Sequence, residues 1–235
     1  ASSSTFYSTD AIDLLYSLHE RVGPLIERFS PGNRSNVEHD FHQNVQTSTT
    51  FDAWADCWRP VLTSMATCLD DDRENVSLHA LCVMEKSLSD CHGSNMSAGQ
   101  WKKIFTQLLF PILAKFLEGQ TLRVEFRDMP QLDEKTTHQI DSICSVQNIN
   151  LIVSVIKMVA KVFLFRLEVL SNLSEFDSLW LNLLQFLQRF LIYGREVQAL
   201  ALCETILEII KNIILVMQKM RLFDVDTDDK QLWHL

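Results

Sequence analysis

Between Ser174 and Met220 the apolar residues fall into two runs of helical period. Phe176, Leu179, Trp180, Leu183, Leu184, Phe186, Leu187, Phe190 and Leu191 recur at steps of three and four residues. Ile206, Ile209, Ile210, Ile213, Ile214 and Met217 repeat the pattern. Such spacing gives each helix a wide apolar face. Only Tyr193-Gly194 interrupts the two runs, so they are expected to fold back on each other as an antiparallel hairpin. Neither helix can bury its stripe alone, and the rest of the chain has to supply the cover.

The same reading extends toward the N-terminus. A helix is expected near 10–29, capped by Ser8, Thr9 or Asp10, with Ile12, Leu15, Leu18, Val22, Leu25, Ile26 and Phe29 inward. Ser30-Pro31-Gly32-Asn33 ends it, and the polar, aperiodic stretch 31–50 reads as a long flexible loop. A second helix spans about 51–69, with Phe51, Trp54, Trp58, Val61, Leu62, Met65 and Leu69 inward. Pro60 within it predicts a kink or a late first turn. Asp70-Asp71-Asp72 turns the chain into a third helix near 73–90, built on Val76, Leu81, Met84 and Leu88. Ser97 is placed to cap a fourth, near 98–117, which Pro111 is expected to bend. The charge-rich stretch 119–148 reads as a second long flexible loop. Helices near 149–170, 174–191 and 196–220 follow, and 221–235 is an acidic tail.

These elements pair along the chain as hairpins: 51–69 with 73–90, 98–117 with 149–170, and 174–191 with 196–220. Helix pairs recurring every ~40 residues predict an all-α fold, a HEAT-like α-solenoid of antiparallel hairpins forming a single domain over 1–235. The segment from Asp71 through Arg73 and Val76 to Ala80-Leu81 carries the Asp-then-Arg turn that such repeats often show. A closed helical bundle is the rival architecture. Composition agrees with helices: the 235 residues include only 6 Gly and 5 Pro, too few for the many turns of a β-protein.

Charge narrows the function. A net charge of −9 argues against a nucleic-acid-binding surface. The most apolar stretch, Ile149 to Leu170, carries Lys157, Lys161, Arg166 and Glu168, too many charges for a membrane span, and reads as a core helix. No secretory signal is read at the start of the sequence. The six cysteines form no C-x-x-C pair and read as free, partly buried thiols in a reducing compartment.

Candidate chemistry is sparse. His39-x-x-His42 offers two metal ligands but no matching second pair. Cys91-His92 has the elements of a thiol nucleophile and no orienting partner. Glu204 and Glu208 sit one turn apart, as in helical di-metal sites, without the Glu-x-x-His such sites need. No catalytic residue, metal or cofactor is therefore expected. Lys157 and Lys161, continued by Arg166, suggest a basic strip that meets an anionic membrane or a partner, with a solvated helix face as the plain alternative. Trp233, in the acidic tail, is a candidate anchor for a partner.

Four blocks carry a resemblance. Trp101, Phe105, Leu109, Phe110, Pro111, Leu113, Lys115, Leu117 and Glu118 follow a W-x-x-x-F-x-x-x-L-F-P-x-L-x-K-x-L-E pattern. Trp54-x-x-Cys57-Trp58-x-Pro60-Val61-Leu62 forms the second block. Phe176-x-x-Leu179-Trp180-Leu181-x-x-Leu184-x-Phe186 forms the third. Glu208-x-x-Lys211-Asn212-x-Ile214-Leu215-Val216-Met217 is the fourth. In this order they resemble the C-terminal region of the large Arf guanine-nucleotide exchange factors, in the Golgi-specific brefeldin A-resistance factor class. None belongs to that family's catalytic Sec7 domain. The resemblance implies a HEAT-like "homology downstream of Sec7" region without catalytic activity of its own. It further implies roles in membrane recruitment, self-association or binding of partners such as small GTPases and Golgi adaptors. The implied location is cytoplasmic, peripheral on Golgi or ER-Golgi intermediate membranes. A generic helical-repeat scaffold unrelated to Arf exchange is the alternative.

Overall fold

A computed structural model describes residues 2–29, 52, 54–89, 96–127 and 146–223. Among the described residues every regular element is helical. The chain divides into two compact units, Ala1–Met96 and Ser97–Leu235. Each is an assembly of helices packed side by side, the solenoid-like all-α fold expected from the periodicity.

In the first unit, α1 (Ser2–Phe29), α2 (Arg59–Thr67) and α3 (Glu74–Ser89) pack on one another. α1 starts well before the anticipated cap at Asp10, and its stripe is rotated. Ile12 and His19 are buried while Leu18 is exposed, because the edge of the His19 ring meets Trp58 at 4.3 Å between centroids. Trp54, Trp58, Leu62, Met65, Leu69, Val76, Met84 and Leu88 complete the core. The α2–α3 turn is held by one residue pair. Asp71 Oδ1 accepts from the Arg73 backbone N–H at 2.9 Å and from Nε at 2.7 Å, and Asp71 Oδ2 accepts from Nη2 at 2.6 Å. The same Nη2 donates to Ser8 Oγ of α1 at 2.9 Å, so the turn is also clipped to the first helix.

The second unit begins with a capping box. Ser97 Oγ accepts from the Gln100 N–H at 3.3 Å, and Gln100 Oε1 accepts from the Ser97 N–H at 2.8 Å. From there α4 (Ala98–Ile104) runs through a π-helical turn, Phe105–Leu109, into α5 (Phe110–Arg127). α5 thus extends ten residues past the expected end at 117, into part of the stretch expected as a loop over 119–148. The remainder of that stretch, 128–145, lies outside the described residues, as do the 31–50 loop and residues 224–235 of the tail. α6 (Val146–Leu170), α7 (Phe176–Glu196) and α8 (Leu200–Lys219) complete the unit.

Pro60 and Pro111, unlike Pro24 within α1, each follow a π-helical turn. Trp54–Trp58 precedes Pro60, and Phe105–Leu109 precedes Pro111. A proline cannot donate to the carbonyl four residues back, and its ring crowds that carbonyl. Widening the preceding turn relieves the conflict and keeps the rod continuous. The bends anticipated at both prolines therefore take the form of π turns, and they leave Trp54, Trp58, Phe105 and Leu109 facing the core.

α6 is the centre of the second unit, with α4, α5 and α8 all packed on it. Ile152, Val155, Ile156, Val159, Phe163, Leu167 and Leu170 are buried. Phe163 is the aromatic hub, edge-on to Phe105 at 5.8 Å and stacked with Trp180 at 5.8 Å and with Phe176 at 6.3 Å. α7 in turn packs on α5 and α8.

The α7–α8 hairpin forms as expected, but its turn is not at Gly194. α7 continues to Glu196, and the residue in the left-handed region is Gln198, with φ 55°. The Ala199 N–H reaches back to the Gly194 carbonyl at 2.8 Å, and the Gln198 N–H to that of Arg195 at 3.2 Å, in the manner of a Schellman ending. Gly194 serves instead to let α8 approach. A β-carbon there would lie 2.9 Å from Cys203 Sγ and 3.3 Å from Leu202 Cδ2.

Gly194→Ala is therefore expected to destabilise the chain by about 1 kcal/mol, an overpacking cost only partly offset by the gain in helix propensity. Adding Cys203→Ala, which removes the nearest clashing atom, should recover roughly half of that loss or more in thermal unfolding. A second expectation concerns pH. The Arg73 guanidinium and N–H hold the Asp71 carboxyl down to about 2, from 3.8. A lowered folded-state value contributes stability that is present above 3.8 and lost as pH falls toward about 2. Asp71→Asn should thus cost about 0.5–1 kcal/mol at neutral pH, allowing for solvent screening at this half-buried pair. The gap to the parent should narrow below pH 3.8 in melting curves taken across the acid range.

Candidate interaction surface

α8 carries more apolar surface than its neighbours cover. Leu202, Ile206, Ile213 and Met217 are buried, whereas Ile209 and Ile210 are half-buried, and Leu207, Ile214, Leu215 and Val216 are exposed. On its α6 side this surplus forms one wall of a groove. Ile209, Asn212 and Val216 of α8 face Lys157, Ala160, Lys161, Leu164 and Phe165 of α6 across a recess of about 420 Å³. Asn212 is exposed and lines this groove.

The two lysines anticipated as a contact do come together here. Lys157, Lys161 and Phe165 are spaced one helical turn apart on the solvent side of α6, all exposed. Lys161 Nζ lies 6.0 Å from the centre of the Phe165 ring. Arg166 does not continue the strip. Its guanidinium lies 4.5 Å over the Trp101 ring, on the face of α6 that meets α4. A helix turns by about 100° per residue, so position 166 falls on the far side from 157. Trp233 lies outside the described residues. Leu164, Phe165 and Val216 were not singled out as contact residues from the sequence. One signal was present: Phe165 is an apolar residue on the stripe that also carries the two lysines.

Glu204, Glu208 and Lys211 are exposed on α8. Among the described residues no group of three or more His, Cys, Asp or Glu is placed to hold a metal ion. His39, His42, Cys91 and His92 lie outside those residues. Cys57, Cys68, Cys82 and Cys203 carry free thiols. Burial, with Asp56 alongside, pushes the Cys57 thiol up, away from the reactive thiolate. No described helix is long and apolar enough to cross a membrane. What the surface offers is an apolar recess bordered by two cations, on a scaffold of helical hairpins.

Such a scaffold is the architecture of helical-repeat proteins, and the comparisons identify the family. Residues 58–235 match the family described as "GBF1-like, tetratrico peptide repeat region", and the chain belongs to that family. The description assigns tetratrico peptide repeats where the sequence suggested HEAT; both are built from helix pairs. Over 216 residues the chain is 27% identical to the Golgi-specific brefeldin A-resistance guanine nucleotide exchange factor 1 homolog of Caenorhabditis elegans, covering 92% of this chain and 9% of that protein. Over 163 residues it is 29% identical to the ARF guanine-nucleotide exchange factor GNOM of Arabidopsis thaliana, covering 68% of this chain and 10% of that protein. The chain thus spans about a tenth of the length of these curated relatives. No solved structure matches.

The groove residues should be separable from the core by stability alone. Phe165 is 63% exposed and Phe163 fully buried, though the two are neighbours on α6. Phe165→Ser is expected to shift folding free energy by no more than about 0.5 kcal/mol. Phe163→Ala should cost about 3–5 kcal/mol. Urea unfolding followed by circular dichroism measures both.

Proposed function

We propose that this chain is a non-catalytic regulatory and targeting region of an Arf exchange factor of the early secretory pathway. In this reading it acts through contacts with a partner protein, a membrane surface or another copy of itself. The observations that carry the proposal are the match of 58–235 to a repeat-region family and the likeness to two much longer relatives named as exchange factors. Helix-pair repeats build extended surfaces suited to binding. The exposed apolar arc of α8 and the groove it forms with α6 supply such a surface. Nucleotide exchange on Arf would then reside elsewhere in the parent protein, in a Sec7 domain. The name of the nematode relative supports a site of action at the Golgi; in this reading the protein is peripheral on the membrane and faces the cytoplasm.

Two measurements test this. The isolated chain should not accelerate release of a fluorescent guanine nucleotide from Arf; clear acceleration would overturn its non-catalytic assignment. Removing 58–235 from the parent exchange factor should leave exchange activity in solution unchanged and reduce the fraction of the protein on Golgi membranes. An unchanged membrane fraction would contradict the targeting role.

A further inference from the structure

We infer that the groove between α6 and α8 is a docking site for an amphipathic helix of a partner protein, one with apolar anchors flanked by carboxylates. The inference rests on the reading of the chain as an interaction module and narrows it to one surface and one partner chemistry.

Shape comes first. The α6 wall runs from Lys157 to Phe165 and the α8 wall from Ile209 to Val216, so each covers about two helical turns. That is the length over which a helix presents anchors at i, i+3 or i+4, and i+7. The recess of about 420 Å³ lies in the range of pockets that accept inserted side chains. Its apolar lining comes from Ala160, Leu164, Phe165, Ile209 and Val216. Ala160 keeps the α6 wall low, and Phe165, 63% exposed, raises its edge. A second helix laid along this groove would cover Phe165 and Val216 as the neighbouring helices cover the rest of α6 and α8. Asn212 supplies an amide, donor and acceptor, in an otherwise apolar wall.

Charge selects the occupant. Lys157 and Lys161 are the ionisable residues of the lining, and both are cationic, in a chain whose net charge is −9. An acidic partner is attracted to this edge while the remainder of the chain repels it, which favours one register. A bilayer fits less well. Lipid recognition by charge draws on clusters of about four to eight basic residues, and Arg166 is turned away to Trp101. The recess is also concave, whereas a membrane contact needs apolar side chains that protrude.

The test uses the full 235-residue chain and a fluorescent helical peptide of about sixteen residues, long enough to form helix. Its leucines repeat at i, i+3 and i+7, and glutamates flank them. Polarisation should show saturable binding, with amide-exchange protection gained at 157–165 and 209–216. Lys157→Glu with Lys161→Glu should weaken binding at least about tenfold, the scale of close charge pairs. A peptide with lysine in place of glutamate should then prefer that double variant over the parent. Phe165→Ser should weaken binding of the acidic peptide, and Leu215→Ser, outside the lining, should not. Each substituted residue is exposed, so the melting temperature should stay at the parent value and any loss of binding is read from folded protein. No binding of the acidic peptide, or binding indifferent to the lysine and Phe165 changes, overturns the inference. So does lysine-dependent sedimentation with phosphatidylserine vesicles in place of peptide binding, which would assign the groove to a membrane. Such a failure leaves the exchange and Golgi-fraction measurements untouched, so the wider functional reading stands or falls separately.

Discussion

Burial of α6 is the constraint on which the second unit depends. Phe163 sits at its middle with aromatic neighbours from the π turn and from α7, so one side chain links three segments of the chain. Packed aromatic rings contribute beyond their buried area, and they hold only if all partners are in register. The register is in turn set by the ends of the helices: the Ser97 capping box starts α4, and the Gln198 turn starts α8. Lys157, Lys161 and Phe165 of α6 stay exposed, and that stripe becomes one wall of the groove. The candidate surface is therefore what remains of α6 once the core has taken its share.

The sequence blocks that resemble the exchange factors coincide with these structural needs. Trp54 to Leu62 holds the first π turn and its proline, and Trp101 to Pro111 holds the second. Phe176 and Trp180 stack on Phe163. Asn212 and Val216 of the last block do not serve the core; they line the groove. Three blocks are thus explained by packing, and the fourth supplies both buried Met217 and, in Ile214, Leu215 and Val216, an exposed apolar face.

Helix positions were legible because periodicity is local. The steps of three and four residues through α6, α7 and α8 identify those helices directly, and Ser97 with Gln100 announces its own cap. Three features were not legible for the same reason. Gly194 resembles a helix break, yet it is a point of close approach, because its neighbours Leu202 and Cys203 lie on the next helix. Arg166 resembles a continuation of the basic strip, yet Trp101 of another helix claims it. Charge-rich α5 resembles a loop beyond 117, yet remains helical to Arg127.

By itself, the sequence determined an all-α chain of amphipathic helices, the hairpin of α7 and α8, and membership of an exchange-factor region. Each follows from backbone periodicity or from the order of short blocks. Only the tertiary structure decided which part of each apolar arc is covered. Ile206 and Ile214 look alike in sequence, but the first is buried and the second exposed. Burial depends on where neighbouring helices lie, and helices distant in the chain place them. The groove between α6 and α8 exists because two such arcs, each wider than its contacts, meet with their margins uncovered.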